Sequence, residues 1–448
     1  MMAIGGVVGG GLFLGSGEVI HSAGPGAIFS YALVGLFMVF IMRMLGEMAT
    51  VHPSSGSFST YSHHEIGPWA GYTIGWLYLF YWIVTVTIES MMAAIIIHVW
   101  IPSLSIGIIS FLCIALLTLT NIFSAKLFGE FEYWFSIIKV VAIVSFLIIG
   151  TTMIFGLFPH LESPGVSNLL DRGGLLPNGP NSLLLAISVV IFAYPGIEIP
   201  TIAAGESPNP QKAVMGAINS VIWRVLVFYI GSITILVTLL PWNSSSALES
   251  PFVTVLDMLN IPAASLIMNI LILVAVLSCL NTGIYTTSRM LYSLAEKGDA
   301  PKIFLRVTKK GSPIWAVLGC TVFSFITLFS STISPDKLYL LLINASACIA
   351  LLVYLFVAVS HVRMRKRLEI EDPKALIVKM WLFPYLSYFV IAAMISLIVA
   401  MAFMETTRVQ LLATLATTLI VLVSYSFTKF KKKESNQTEV EDGRRKTI

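Results

Sequence analysis

The sequence predicts an all-α integral membrane protein of about twelve transmembrane helices. Three observations carry this. Hydrophobic residues make up 57% of the 448 positions and charged residues only 11%, against about 25% charged in soluble domains. Mean hydropathy is +0.88. Apolar runs long enough to span a bilayer recur along the chain, and the only clearly hydrophilic stretch is the tail from Lys429.

A transmembrane helix needs about 20 apolar residues. On that criterion the spans fall at 1–21, 25–48, 69–99, 105–124, 133–157, 182–205, 216–240, 264–294, 313–331, 337–360, 380–403 and 408–428. Gly24-Pro25, Pro53, Pro102, Pro164, Pro208 with Pro210, Pro262, Pro313 and Pro335 punctuate them, as turn residues should. Cys113, Cys279, Cys320 and Cys348 each lie inside an apolar run, which reads as buried small residues rather than a disulfide framework or a zinc site. The chain enters its first span directly, with no basic signal-like lead, and its first basic residue is Arg43. That opening predicts either a late start or a missing short basic segment.

Orientation follows from the basic residues. With the N-terminus inside, inner loops hold Arg43, Lys126, Lys212, the basic residues between 289 and 310, and those between 363 and 379. The tail, 429–448, adds seven more, and the outer loops hold only Arg172, Lys337 and Arg408. Positive residues gather on the cytoplasmic side, so both termini are expected there. A basic tail next to anionic lipid needs no nucleic-acid partner.

Two spans carry helix breakers at membrane depth. Span one has seven glycines in the thirteen positions from Gly5 to Gly17, with Gly9-Gly10-Gly11 consecutive. Span six reads Phe192-Ala193-Tyr194-Pro195-Gly196-Ile197-Glu198-Ile199-Pro200. Proline removes an amide donor and clashes with the preceding turn, so this helix should open around Pro195-Gly196. Unwound backbone in a bilayer must line a cavity or be buried in protein. Interruptions five spans apart point to a carrier built from inverted repeats. Broken helix ends offer amides to a carboxylate and carbonyls to an ammonium group, which suits a zwitterion. Close helix packing at the glycines, or a plain proline kink, are the competing readings.

Charges at this depth are costly and usually functional. Glu89 falls mid-way in span three, Lys139 early in span five, Glu198 in the span-six break and Arg224 in span seven. Lys139 is the coupling candidate, because a desolvated lysine changes protonation readily; a lysine reaching back to the inner interface is the alternative. Glu89 and Glu198 could hold a proton or a substrate amine, or form interhelical hydrogen bonds. Asn281 and Thr282 in span eight bring polar atoms near the coupling position, or bond to neighbouring helices. Glu47 near an inner helix end reads as a gate or cap contact. The candidate substrate contacts are therefore Gly9, Gly10, Gly11, Phe192, Tyr194, Gly196, Glu198 and Glu89, and the candidate coupling residues are Lys139, Asn281 and Thr282. No metal-ligand cluster, phosphate loop or nucleophile with a base is visible, so neither an enzyme nor a cofactor other than the coupling proton is expected.

The motifs resemble the amino acid–polyamine–organocation superfamily, in its amino acid transporter branch. They include Gly9-x-Gly11-Leu12-Phe13-Leu14-Gly15-Ser16-Gly17, Met42-Arg43-Met44-Leu45-Gly46-Glu47-Met48 and Phe128-Gly129-Glu130-Phe131-Glu132-Tyr133-Trp134. Ala204-Gly205-Glu206-Ser207-Pro208-Asn209-Pro210 and Arg289-Met290-Leu291-Tyr292 continue the series. Within that branch the chain is most similar to bacterial GABA permeases, through spans two and eight and Lys379-Met380-Trp381-Leu382-Phe383-Pro384. The resemblance implies a LeuT-like fold: a first five-helix repeat over 1–157, a second over 182–360, two accessory helices over 380–428 and the cytoplasmic tail. It implies proton symport of a small zwitterionic amino acid, GABA first, in a bacterial cytoplasmic membrane. It places substrate contacts at Gly9 to Gly11 and Tyr194 to Glu198, and Lys139 where related carriers bind sodium. Gly10, Tyr194-Pro195 and Ile197 depart from the usual residues at those positions. Small α-amino acids such as alanine, glycine or serine are the alternative substrates, and a non-transporting amino-acid sensor is the alternative role. The short tail disfavours a sensor, and nothing here indicates an oligomeric state.

Overall fold

The computed structural model describes residues 9–123, 125–158, 163, 165–194, 196–204, 207, 209–244, 249–259, 263–333, 346 and 348–445. Among them every regular element is helical. Among the described residues seven helices are long and apolar enough to cross a membrane by length and composition, and three further apolar helices are shorter. The protein is accordingly a multi-pass membrane protein.

The first span appears as α1 (Gly10–Phe13) and α2 (Gly15–Ala23), divided by a turn at Leu14. Gly9 is extended, at φ −131° and ψ −158°. Gly10 and Gly11, expected to be unwound with it, instead begin the helix. Next come α3 (Ala27–Val51), α4 (Ser57–Glu65) and α5 (Pro68–Trp100). The loop expected between spans two and three thus holds a helix, which carries His63 and His64.

Then follow α6 (Ile106–Phe123), α7 (Ala125–Ile154) and a single turn, α8 (Ser167–Leu170). Span six breaks as expected, into α9 (Asn181–Val190), a 3₁₀ turn over Ile191–Ala193, and α10 (Ile199–Ala204). Span seven is α11 (Pro210–Trp223) and α12 (Ser232–Leu239), joined by a π-helical stretch over Arg224–Gly231. Arg224 has no described side chain. The remaining helices are α13 (Pro251–Asp257), α14 (Ala264–Glu296), α15 (Ile314–Ile333), α16 (Ile349–Glu371), α17 (Tyr385–Phe403) and α18 (Glu405–Arg445). The start of span ten falls outside the described residues.

The helices sort into two packed groups. α5, α6, α14 and α15 all contact one another, and the α5–α14 pair is the most extensive. The second group comprises α2, α3, the broken α9–α10 pair and the α11–α12 unit. α7 lies against α14 of the first group and α12 of the second, and α16 contacts α3, α4 and α5. Apolar side chains fill these interfaces and also coat the outside: Leu116, Ile148, Phe155, Phe329, Phe403 and Ile420 are all exposed. An apolar exterior of that kind belongs in lipid. Arg289, expected in an inner loop, is instead buried within α14, its guanidinium 3.8 Å from the Tyr285 ring centroid.

Candidate substrate and coupling site

The break in span one faces α5. The Gly10 amide donates to both Glu89 carboxylate oxygens, each at 3.3 Å. Two glycines are needed because the helices approach so closely. A Cβ on Gly9 would stand 2.8 Å from Glu89 Oε1 and 3.0 Å from Cys279, and one on Gly10 would stand 2.3 Å from Met92 Sδ. Gly11 is the less enclosed of the three.

The break in span six turns on Gly196, whose φ of +104° suits glycine alone. Glu198 fills the gap, and three donors converge on it. Tyr78 Oη from α5 donates to Oε1 at 2.7 Å, while Tyr354 Oη from α16 and the Gly196 amide donate to Oε2 at 3.1 and 3.0 Å. Tyr194 is fully buried, donates to the Tyr31 carbonyl at 2.9 Å and stacks on Tyr229 at 4.4 Å. Tyr229 in turn donates to the Ala193 carbonyl at 2.8 Å. The second break is thus tied to α3, α5, α16 and the π-helical stretch. The side chain of Phe192 and the whole of Pro195 lie outside the described residues.

These bonds make Glu198 sensitive to an isosteric change. Glu198→Gln turns one acceptor oxygen into a donor, opposite three donors, and removes charge assistance. Such bonds contribute about 1.5–3 kcal/mol each, so initial uptake rates are expected to fall by about ten- to a hundredfold. Uptake kinetics equal to wild type would remove Glu198 from the transport machinery.

Lys139 is buried in α7, and the ionisable groups it faces are Glu132, Cys279 and Glu89. Glu89 thus touches the Gly10 amide and is one of the charges that act on the lysine. Asn281 Oδ1 accepts from Thr120 Oγ1 at 3.0 Å and from Asn121 Nδ2 at 2.9 Å. Thr282 is buried beside it and faces Glu132. The structure thus sets Gly9 and Gly10 against Glu89, one of the charges acting on Lys139, and Asn281 and Thr282 against Glu132, another of them. Tyr78, Tyr354 and Glu132 escaped the sequence reading as site residues. The tyrosines carried no signal among many membrane aromatics, whereas Glu132 stood in a quoted motif as a charge beside an apolar run.

A third cluster links α3 to α16 and to the segment before α17. Glu47 on α3 is fully buried and meets Arg365 Nη1 at 2.6 Å and His361 Nε2 at 3.1 Å, both on α16. It also accepts the Met380 amide at 2.6 Å. Arg43 Nε donates to the Lys379 carbonyl at 2.9 Å, and its guanidinium lies 4.3 Å from the Trp381 ring centroid. Glu47, expected to make a gate or cap contact, is bonded here to another helix and to a loop amide. Among the described residues no group of three or more metal-ligating side chains occurs.

Comparison with known proteins decides the family. The amino acid permease family matches residues 1–439. The chain belongs to that family. It is 56% identical over 425 residues to the gamma-aminobutyric acid permease of Bacillus subtilis (strain 168), covering 95% of this chain and 91% of that one. It is 44% identical over 415 residues to the gamma-aminobutyric acid permease of Escherichia coli (strain K12), covering 92% and 89%. A probable threonine/serine transporter of Bacillus subtilis (strain 168) is 36% identical over 443 residues, covering 98% and 96%. The relatives are named as permeases and transporters, so the protein is an amino-acid carrier rather than an enzyme.

Proposed function

We propose that this permease is a proton-coupled symporter that imports a small zwitterionic amino acid, GABA first, across a bacterial cytoplasmic membrane with both termini inside. The observation that carries the coupling is the placement of Lys139: a buried cation facing a carboxylate that touches the amide at the span-one break. The identity to proteins named gamma-aminobutyric acid permease carries the substrate.

The two packed helix groups supply the moving parts. The group holding both breaks rocks against the α5, α6, α14 and α15 scaffold. A substrate carboxylate competes with Glu89 for the Gly10 amide, and a substrate ammonium group gains from the carboxylate it displaces. Proton and substrate together must favour a different state from the empty carrier, or neither would be driven. The two five-helix repeats and the accessory pair are the architecture this cycle needs.

Uptake of labelled GABA into proteoliposomes tests the reading, with an inward proton gradient and unlabelled competitors. Gradient-dependent uptake blocked by β-alanine but not by alanine is the expected result. Uptake of alanine, glycine or serine in place of GABA would keep the carrier and change its substrate, drawing attention to Gly10 and Tyr194. A chain that binds an amino acid yet moves none would be a sensor.

A further inference from the structure

Lys139 does not stand alone on its helix. Glu132, Ser136 and Lys139 occupy positions i, i+4 and i+7 of α7 and so share one face, and all three are buried. Opposite them, α14 brings Ser278, Asn281 and Thr282. Ser278 Oγ donates to Glu132 Oε1 at 2.5 Å, and Asn281 and Thr282 face the same carboxylate. From α6, Asn121 reaches Asn281. Within this cluster Glu132 Oε2, Asn121 Oδ1, Asn281 Nδ2 and Thr282 Oγ1 are buried and make no full-strength hydrogen bond, Asn281 and Thr282 reaching the Glu132 carboxylate only weakly.

Such atoms are rare in native interiors, because an unpaired buried polar group costs about 1–3 kcal/mol. A carboxylate oxygen so weakly held, with Asn281 and Thr282 facing it and Asn121 behind Asn281, all drawn from three helices, makes a poor packing device. It suits a place where a proton and its hydration pass. Direction comes from the helix itself. Glu132 lies seven residues toward the N-terminal end of α7, about 10 Å along the axis from Lys139. With the termini inside, that end is the cytoplasmic one. Glu89 on α5 and Cys279 on α14 are the other ionisable groups facing Lys139. Glu89 lies toward the span-one break. Two carboxylates therefore flank the lysine, one toward substrate and one toward the cytoplasm.

We propose that Glu132 accepts the coupling proton from Lys139 on its way into the cell. The Lys139 ammonium loses one proton and becomes a neutral amine. The Glu132 carboxylate gains that proton and becomes a neutral acid, then releases it to cytoplasmic water and is a carboxylate again. This rests on the proton-coupled reading above, and the test separates the two.

The full-length chain in proteoliposomes is assayed two ways with the amino acid selected above, GABA first. One assay measures accumulation driven by an inward proton gradient; the other measures counterflow at equal pH. For Glu132→Gln, accumulation is expected to fall by about a hundredfold, the lower end of what a positioned proton-transfer group contributes, and far more than counterflow falls. Equal loss of both would make Glu132 structural and overturn the proposal, as would accumulation at the wild-type level while the wild type is coupled. A wild type that exchanges substrate but ignores the gradient would instead overturn the proton-coupled reading, and this inference with it. Accumulation driven by a sodium gradient at equal pH would assign the Glu132 oxygens to a cation and also overturn it. If Glu132→Gln does not fold, Ser278→Ala removes only the hydroxyl on that carboxylate. It is expected to shift the pH profile of accumulation, and an unchanged profile overturns the proposal.

Discussion

Replacing Lys139 by alanine is expected to abolish amino-acid accumulation driven by an inward proton gradient. The side chain is buried, faces Glu132 and Glu89, and sits one carboxylate away from the Gly10 amide. Its removal leaves two buried carboxylates without the cation between them. A carboxylate so placed becomes protonated or draws in water, and the proposed coupling loses its lysine. Proton-transfer groups in position contribute about 10²- to 10⁴-fold, so residual accumulation should lie near the leak of empty liposomes. The measurement is uptake against a series of pH gradients at matched reconstituted protein. Undiminished gradient-driven uptake would return Lys139 to a packing role. Arginine at this position should not rescue, because a guanidinium does not give up its proton in a protein.

Glu47→Ala is expected to lower stability by about 3–5 kcal/mol, the range for removing one partner of a buried ion pair. The change strips three donors at once: the Arg365 guanidinium, the His361 ring and the Met380 amide. Arg365 retains only Glu369, four residues along α16, and its stacking near Phe383. Because Glu47 joins α3 to α16 and to the segment before α17, its loss should also loosen that junction. Thermal unfolding of the purified protein in detergent checks the first effect, and accessibility of a cysteine introduced at Lys379 to a polar thiol reagent checks the second. A melting temperature within a degree of wild type would mean that the cluster is replaced by water at little cost. The same position replaced by glutamine should fall between, since it keeps one acceptor oxygen.

The broken helix of span six was legible from Pro195, Gly196 and Pro200, because proline and glycine act on the backbone within a turn of where they stand. The run of glycines in span one did not say which of them would be extended and which helical. Among its described glycines Gly9 is the extended one, while Gly10, whose amide meets Glu89, and Gly11 are helical. The partners of the buried charges were not legible. Glu198 draws its hydroxyls from residues 120 and 156 positions away, and Tyr78 and Tyr354 look like any aromatic residue of an apolar helix. Glu132 stood only within a quoted motif, just before span five. It is buried because α14 packs along α7 and lays Ser278 against it.

By itself the sequence determined that the chain is helical, lives in a membrane and is interrupted at two depths, because hydropathy and helix-breaking are sums over neighbouring residues. The tertiary structure decided which buried charges meet. That depends on the rotation and crossing of helices far apart in sequence, and a shift of one residue along a helix turns a side chain by about 100° and would exchange one partner for another.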